Sequence, residues 1–350
     1  MLADNNRPCA APQTTYLSNL FAGEKSMRAA IARAYGAPDV VTLTDLPKPV
    51  AGPGEILVHI HAASVSAGDW RLRSGKVPAG FGAVIRLMFG WRKLRQPVLG
   101  TDFSGVVEAA GQGAAFKPGD AVFGSAGFKM GCHAEYRVFG AKASIAAKPE
   151  NLSHNQAAAL VFGGQTALAY LRDKGGLKSG ERLLVIGASG AVGGSAVQIG
   201  KALGAHVTGV CSASNADLVK SHGADEVIAY DRTDVKSLGQ RFDVILDAVG
   251  DPGYPGLQHL LAEHGRFLAV VAGLPEMLRA VRVNLSGRHK LIVGDAGESA
   301  ALVADLAGMA SRGELKPSID SVFAFADIVK AHERVDTGRK TGAVIVEMLA

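Results

Sequence analysis

A turn with three glycines joins an apolar strand to a helix near the middle of this chain. The apolar strand occupies residues 181–186, and the residues after the turn predict a helix over 195–203 and a second apolar strand over 206–211. This order is that of a βαβ unit, although a glycine turn alone also serves as an ordinary tight turn. In a βαβ unit the backbone approaches a pyrophosphate closely, and the free N–H groups of the helix start point at it. We therefore expect the turn to bind a dinucleotide through Gly187, Ala188, Ser189, Gly190, Ala191, Val192 and Gly193.

The residues that follow the second strand indicate which dinucleotide is bound. An NAD site usually has an acidic residue there, which binds the ribose 2′-hydroxyl and would repel a 2′-phosphate. This chain has neutral hydrogen-bonding residues instead, Ser212, Ser214 and Asn215. The sequence therefore favours NADPH, but the loop has no Lys or Arg to pair with the phosphate. Arg339 and Tyr230 are the candidates for that contact, and an exposed basic turn is the ordinary alternative for Arg339.

Length and composition exclude several classes of protein. The chain has 350 residues, which suits two domains, and 48% hydrophobic with 20% charged residues describes a folded globular protein. The net charge of +5 is mild and spread along the chain, so we expect no nucleic-acid partner. No apolar run is long enough for an integral membrane segment. The three cysteines have neither pairing nor metal-ligand spacing, which indicates a reducing compartment, and we expect the cytoplasm.

The pattern of apolar residues divides the chain into four segments. Residues 1–26 lack a secretory signal and are predicted to be a disordered extension, with residue 27 as a candidate start. Residues 27–148 show short alternating segments between Gly and Pro turns, which predicts a mostly β domain. Residues 149–311 alternate six apolar strands with helices, one of them over 256–262, which predicts a doubly wound parallel sheet. Residues 312–350 contain a helix and a closing strand and are expected to return to the first domain.

Several short motifs follow one another in a characteristic order along the chain. They are the strand at 55–58, the glycine-rich bend at 100–105, the turn and strand at 117–124, the sequence Gly164-Gln165-Thr166-Ala167, and the phosphate-binding turn. Together they resemble the medium-chain dehydrogenase/reductase superfamily. The resemblance implies an α/β fold class, with a Rossmann-type doubly wound parallel sheet domain for NADPH and a mostly β, GroES-like catalytic domain. It also implies a homodimer formed through an edge strand near 290–294.

Two stretches of this sequence differ from the zinc-dependent members of that superfamily, which have a Cys in an early loop and a His-Glu pair in the glycine-rich bend. Here the stretches are Ser66-Ala67-Gly68-Asp69 and Gly100-Thr101-Asp102, and the four-cysteine structural zinc lobe is missing. The chain therefore resembles the zinc-independent quinone oxidoreductase and enoyl (enone) reductase branch. That branch implies hydride transfer from NADPH to an α,β-unsaturated carbonyl or a quinone. The alternatives are an alcohol or aldehyde dehydrogenase of the same fold and a non-catalytic NADPH-binding sensor or partner protein.

The resemblance also implies roles for individual residues. Ser66 is the candidate donor to a substrate oxygen or to the nicotinamide ribose, and Asp69 would orient it, although Asp69 is equally suited to cap a helix. No residue stands out as a proton donor, and solvent is expected to supply the proton. The remaining cofactor contacts are expected near the nicotinamide and at the carboxyl ends of strands. They are Gln165, Thr166, Tyr230, Val249, Gly250, Val270, Val271 and Ala272.

Two further stretches have more than one interpretation. His59 and His61 share a strand face, but they lack further ligands, and no metal site is expected. Residues 84–95 interleave apolar and cationic side chains and predict an amphipathic surface helix. The alternatives for that segment are a substrate lid and a contact with a membrane surface that holds a lipid-like quinone.

Overall fold

Two large β-sheets form the protein, and helices pack between and around them. The structure is a computed structural model that describes residues 26–348. The predicted N-terminal extension thus lies outside the described residues except for Ser26. The first part of the chain forms seven strands and two short helices: β1 Ser26–Ala32, β2 Val41–Pro47, β3 Ile56–Val65, α1 Ala67–Ser74, α2 Gly82–Phe89, β4 Asp102–Ala110, β5 Ala121–Ser125, β6 Tyr136–Phe139 and β7 Ser144–Ala147.

The middle of the chain forms a six-stranded parallel sheet. Its strands run in the order β10-β9-β8-β11-β12-β13, so the direction of winding reverses between β8 and β11. Such a reversal opens a crevice at the carboxyl ends of the strands, where dinucleotides bind in this architecture. The elements are α3 His154–Leu168, β8 Arg182–Ile186, α4 Ala191–Ala202, β9 His206–Cys211, α5 Ala216–Ser221, β10 Glu226–Ala229, β11 Phe242–Asp247, α6 Gly253–Leu257, β12 Leu261–Ala269, α7 Leu274–Ser286 and β13 Lys290–Ile292.

The last part of the chain returns to the first sheet. After α8 Ala300–Ser311, it forms β14 Ile319–Ala324, α9 Ile328–Asp336 and β15 Ala343–Glu347. The first sheet has the order β14-β15-β3-β4-β5-β7, and β6 pairs with β3, whereas β1 and β2 form a separate antiparallel ladder. Because β15 lies directly beside β3, with Val344 opposite Val65, the C-terminal strand is a central member of the sheet that begins the chain.

Helix α3 packs against both sheets. Its Ala158 and Ala159 join a buried cluster with Ala62 of β3 and Ile345 of β15. On its other side, Leu160 and its neighbours belong to the core of the parallel sheet. The small side chains allow the helix to lie close to the first sheet, and the larger ones fill the space beneath the second. This helix therefore fixes the position of the residues at its C-terminal end relative to both sheets.

The structure confirms the predicted fold class and changes several element boundaries. Helix α4 begins at Ala191, earlier than the predicted 195, and β12 ends at Ala269, so Val270 and Val271 lie just beyond the strand. The helix predicted over 256–262 is α-helical to Leu257 and continues as a short 3-10 helix to Leu260. It is wrong for its last two residues, because Leu261 begins β12 and pairs with Phe242 of β11. Pairing between strands outweighs the weak helical preference of this stretch.

The segment 84–95, in which apolar and cationic side chains are interleaved, is helical only in its first half. Helix α2 ends at Phe89, where Gly90 has a φ of 121° that an L side chain rarely adopts, and the chain turns back so that the Arg95 N–H donates to the Phe89 carbonyl. Side chains from one face of α2 line a cavity, and Leu87 and Met88 are exposed. None of the helices within residues 26–348 combines the length and hydrophobicity needed to cross a bilayer.

Candidate functional site

A cavity of about 530 Å³ lies between the two sheets. The first sheet and its helices supply Gly68, Arg71, Phe81, Ile85, Asp102 and Ser125 to its wall. The parallel-sheet side supplies Gln165, Thr166, Val270, Ala272, Met277 and Glu298. Apolar side chains, among them Leu72, Val77, Phe89, Phe128, Met130 and Phe162, make up most of the remaining wall, and a mostly apolar wall with some polar groups is typical of a small-molecule site.

Its position identifies this cavity as the candidate active site. Val270 and Ala272 follow the carboxyl end of β12, the edge of a parallel sheet at which ligands bind. A second pocket of about 450 Å³ is lined by Arg241, Leu261 and His289. Those residues stand at the starts of β11, β12 and β13, on the opposite edge, so the second pocket is the weaker candidate.

The three-glycine turn has the backbone geometry of a phosphate-binding loop. Gly187 has a positive φ of 78°, and the N–H groups of Gly187 and Ala188 both donate to the Val210 carbonyl at 3.1 and 2.9 Å. Gly190 precedes the first turn of α4, and no side chain caps that helix start. The first N–H groups of a helix have no partner within it, so this end of α4 is suited to an anionic group.

The predicted residues after the second strand lie beside this turn. Asn215 donates to Ser189 Oγ at 3.2 Å, and the hydroxyls of Ser212 and Ser214 are 2.9 Å apart. The structure also places an acidic residue here that the sequence analysis did not consider, because Asp231 accepts from the Ala213 N–H at 2.9 Å. Asp231 follows β10, the strand parallel to β9, and neighbouring strand ends meet at one edge of a sheet.

Tyr230 and Arg339 are both exposed in this structure. Tyr230 lies next to Asp231, and its N–H donates to the carbonyl of Cys211, the last residue of β9. Arg339 accepts at its carbonyl from Arg334, and within residues 26–348 no hydrogen bond or ion pair links it to the loop 212–215. A contact between Arg339 and a cofactor phosphate therefore stays a prediction.

The turn after β11 is held by a buried carboxylate. Asp247 Oδ1 accepts from the N–H groups of Val249 and Gly250 at 2.9 and 2.8 Å. Asp247 Oδ2 is buried and has no partner among the described residues, and burial raises the pKa of this carboxyl. Val271 lies 3.4 Å from the position that a Gly250 side chain would occupy, so the turns after β11 and β12 pack together.

Gln165 and Thr166 both line the cavity, and their contact with the nicotinamide end of a cofactor stays a prediction. Thr166 Oγ1 donates to the Phe162 carbonyl of its own helix at 2.8 Å, which leaves its oxygen able to accept. Gln165 is buried, and its Nε2 has no hydrogen-bond partner among residues 26–348. A buried donor without a partner is costly, so a ligand or water is expected to bind it.

Ser66 and Asp69 bond mainly to each other. The Ser66 N–H and Oγ donate to Asp69 Oδ2 at 2.8 and 2.7 Å, and the Asp69 N–H donates back to Ser66 Oγ, which is a capping box at the start of α1. Asp69 Oδ1 accepts from the Gly100 N–H at 2.8 Å. Neither side chain lines the cavity, so the contacts match the capping alternative for Asp69, and a catalytic role for the pair stays a prediction.

Sequence reasoning missed three carboxyls in the cavity wall, which are Asp102, Asp295 and Glu298. Asp102, the first residue of β4, is buried and accepts from Ser64 Oγ at 2.7 Å. Burial raises its pKa to about 7, and the negative charges of Asp69 and Glu298 act in the same direction. Burial also raises the pKa of Glu298, which accepts from Ser125 Oγ at 3.3 Å. The sequence signal for Asp102 was its position in the glycine-rich bend, where an acidic residue lies among small ones.

The paired histidines of β3 form part of an aromatic cluster. The His59 ring stacks on Tyr136 with centroids 4.5 Å apart, and His61 lies 4.3 Å from the His154 ring. Burial, with His61 and Lys148 nearby, lowers the pKa of His154 to about 4. No group of three or more potential metal ligands occurs within the part of the chain that the structure describes.

The comparisons with known proteins agree with this architecture. The alcohol dehydrogenase GroES-like domain matches residues 52–150, and the zinc-binding dehydrogenase family matches residues 222–346. The human mitochondrial NAD(P)H oxidoreductase RTN4IP1 is 31% identical over 92% of this chain and 89% of its own length. Tomato 2-methylene-furan-3-one reductase is 31% identical over 89% of this chain and 76% of its own length. The quinone oxidoreductase from Coxiella burnetii has a TM-score of 0.82 with 29% identity, and the match covers 93% of this chain and 100% of that structure.

A parallel sheet whose glycine turn is suited to an anionic group, together with a GroES-like β domain and a mostly apolar cavity, is the architecture of an oxidoreductase. The chain belongs to the medium-chain dehydrogenase/reductase superfamily, in its quinone oxidoreductase-like group. The description of the matched family includes zinc, whereas the zinc-ligand positions of this chain hold Ser66, Thr101 and Asp102.

Proposed function

We propose that this protein transfers hydride from NADPH to an α,β-unsaturated carbonyl or a quinone without zinc. The observation that carries the proposal is the cavity between the sheets, where Gln165 and Thr166 face a largely apolar wall. The names of the similar proteins support this substrate class, since they include a quinone oxidoreductase and an enone reductase. An electron-poor carbon accepts hydride directly, whereas alcohol oxidation benefits from a Lewis acid.

The protein's part in this reaction is to bind, orient and exclude water, because the bound nicotinamide cofactor itself supplies the hydride. The turn at 187–193 would bind the pyrophosphate, and the unpaired Nε2 of Gln165 would donate to a ligand in the cavity. Apolar side chains such as Phe81, Ile85 and Phe89 keep the wall dry and favour a flat unsaturated substrate.

The residues at the zinc-ligand positions do not fit a zinc ion. Asp69 is engaged with Ser66 and Gly100, and Asp102 with Ser64. Among residues 26–348, no group of three or more His, Cys, Asp or Glu residues is placed to hold a metal ion. Zinc prefers thiolate or imidazole ligands, and a Ser hydroxyl in place of Cys is a poor substitute. This donor chemistry supports the zinc-independent part of the proposal.

Preference for NADPH and a cytoplasmic location belong to the same proposal. The hydroxyls of Ser212 and Ser214 suit a 2′-phosphate, and Asp231 is already engaged with the Ala213 N–H. Cys132 and Cys211 are buried free thiols, which is typical of a reducing compartment, although several similar proteins are named as mitochondrial or chloroplastic.

The test of this function is a substrate and coenzyme panel on the purified protein. We expect oxidation of NADPH with conjugated ketones or quinones, a KM for NADPH at least about tenfold below that for NADH, and no loss of rate after chelation. The measurements are absorbance at the nicotinamide band and elemental analysis for zinc. Zinc-dependent turnover of alcohols would support the alcohol dehydrogenase alternative, and cofactor binding without any turnover would support the sensor alternative.

We also propose a homodimer formed through β13 and α7. Strand β13 is an edge of the parallel sheet, and an unpaired edge readily pairs with another strand. Beside it, α7 exposes an apolar stripe at helical spacing, with Leu278 74% and Leu285 83% exposed. A second copy that pairs its own edge and stripe would cover both surfaces symmetrically.

Replacing Leu278 and Leu285 with arginine is expected to convert this dimer to a monomer, because charge repulsion replaces apolar burial at the centre of the interface. Light scattering after size-exclusion chromatography measures the mass. The matched control is Val322→Arg, an exposed apolar residue on β14 of the other sheet, which should leave the dimer intact. A wild-type protein that is monomeric at every concentration would contradict the proposal.

A further inference from the structure

Asp102 is placed differently from Asp69, another buried carboxylate near the cavity. Asp69 accepts from Ser66 and from the Gly100 N–H, so both of its oxygens are engaged. Asp102 lines the cavity itself, and Ser64 Oγ donates to its Oδ2 at 2.7 Å. A carboxyl that is buried, borders the substrate space and has a pKa raised to about 7 is protonated in a large fraction of molecules near neutrality.

Two polar residues of the cavity wall lie near this carboxyl. Asp102 is directly opposite Ser125 across the antiparallel pair β4–β5, where side chains on one face are neighbours. Ser125 Oγ donates to Glu298 Oε1 at 3.3 Å, and Glu298 is exposed. Glu298 comes from the parallel-sheet part of the chain, just before α8, so both parts of the chain supply carboxyls to the same cavity.

The proposed reaction needs a proton at this place. Hydride addition to the β-carbon of an enone breaks its carbon–carbon double bond and leaves an enolate, which becomes the saturated ketone only when a proton binds its α-carbon. Water is the default donor, but the cavity wall as a whole is largely apolar. A positioned acid typically accelerates such a step about 100- to 10,000-fold.

We propose that Asp102 is the general acid of this site and that Ser125 and Glu298 carry its replacement proton from solvent; the proposal rests on the proposed enone reduction. In this step the Asp102 O–H bond breaks and a C–H bond forms at the α-carbon. The carbon–carbon double bond of the enolate supplies the electron pair of the new C–H bond, and the carbon–oxygen double bond of the ketone re-forms. The Asp102 carboxylate then takes a proton through the Ser125 hydroxyl from Glu298, which exchanges with water. Redox balance is complete, because the nicotinamide supplies both electrons with the hydride.

The titratable groups around Asp102 come from several elements. They are Asp69 of α1, the Glu298 carboxyl, the buried Cys132 thiol, and His133, whose Nε2 lies 2.9 Å from the Ser64 carbonyl. Arg71 also lines the cavity. Because Asp69 and Glu298 are acidic, their ionisation opposes that of Asp102 and preserves its proton towards neutral pH.

The test compares the wild type with Asp102→Asn, which keeps an acceptor for Ser64 but has no acidic proton. We expect the kcat for an enone to fall about 100- to 1,000-fold, with the NADPH dissociation constant and the KM nearly unchanged. In the wild type, kcat should fall as pH rises through about 7, because the acid form is lost, and this dependence should disappear in the variant. Glu298→Gln should lower kcat less than Asp102→Asn does, and kcat should still fall as pH rises, because Asp102 is intact.

Asp305→Asn is the matched control, since this exposed carboxylate of α8 pairs with Arg172 and lies outside the cavity wall. A kcat within about threefold of wild type and an unchanged pH profile in Asp102→Asn would overturn the proton role alone. Absence of wild-type turnover with every enone and quinone would instead overturn the proposed function, and the proton role with it.

The protein without cofactor gives an independent readout. A pKa of about 7 in the folded state, against 3.8 for the ordinary carboxyl, means that the folded state retains a proton that the unfolded state has released. The free energy of unfolding should therefore decrease as pH rises between these two values and level off above them. Asp102→Asn should remove that slope. An identical slope in both proteins would show that Asp102 ionises normally, which would contradict the proposal.

Discussion

Replacing Gly193 with alanine is expected to abolish measurable cofactor binding and to destabilise the parallel sheet. The added Cβ would lie 2.7 Å from the Gly187 carbonyl carbon and 2.8 Å from Ala188 Cα, and closer still to the Gly187 oxygen. All three are backbone atoms of the phosphate-binding turn, so they cannot move aside without shifting α4 away from β8. Overpacking of this kind costs about 1–3 kcal/mol of unfolding free energy. Fluorescence titration with NADPH and thermal denaturation measure the two effects.

Two other glycines provide matched controls for Gly193→Ala. Gly239→Ala adds a methyl group where no atom lies within 4 Å, and should change neither property. The methyl group of Gly190→Ala would meet only the Gly187 oxygen, at an ordinary contact distance of 3.5 Å. The turn without cofactor should therefore tolerate this replacement. We expect Gly190→Ala to weaken NADPH binding without lowering the melting temperature, because the methyl group would occupy the space next to a bound pyrophosphate. Unchanged binding in Gly193→Ala would contradict our assignment of this turn.

Replacing Asp336 with alanine is expected to destabilise the first sheet by about 3–5 kcal/mol, because it leaves a buried guanidinium without its partner. Arg73 of α1 is completely buried and forms an ion pair with Asp336 at the end of α9. Its Nη1 also donates to the Gly36 carbonyl at 2.7 Å. The pair thus joins the helix behind the glycine-rich bend to the C-terminal part of the chain. Urea denaturation followed by circular dichroism measures the change.

An exposed ion pair is the control for Asp336→Ala. Arg312 and Glu314 pair at 2.8 Å on the surface, and Glu314→Ala should leave the unfolding free energy nearly unchanged, because solvent screens an exposed pair. The double replacement Arg73→Met with Asp336→Leu should recover much of the stability, because no unpaired charge then remains in the core. A loss in Asp336→Ala no greater than that in Glu314→Ala would show that Arg73 is hydrated in solution.

The fold could be predicted because its strongest signals are local. The βαβ unit around Gly187 follows from an apolar strand, a glycine turn and a helix, and the six strands of the parallel sheet were found within a few residues of their ends. The end of the helix over 256–262 was placed two residues too late, because a partner distant in sequence determines where the helix ends, as Phe242 does for Leu261. Local preference carries no information about such a partner.

The candidate site could be predicted only in part, for a related reason. Gln165 and Thr166 line the cavity as expected, since a motif names them. Asp102 was overlooked because its burial and its contact with Ser64 depend on how β3 and β4 pair. Asp231 was overlooked because it comes from a different strand than the loop it contacts. Both contacts join residues that only the folded sheets bring together.

The position of β15 has a consequence for how this protein is made. Val344 pairs with Val65, so a central ladder of the first sheet joins residues from near the two ends of the chain. A ribosome releases β15 after every other strand of the two sheets, so residues 62–65 of β3 must wait for it with one edge unpaired. The parallel sheet, in contrast, is complete once residue 292 has emerged. Nascent chains should therefore complete the parallel sheet before the first sheet closes.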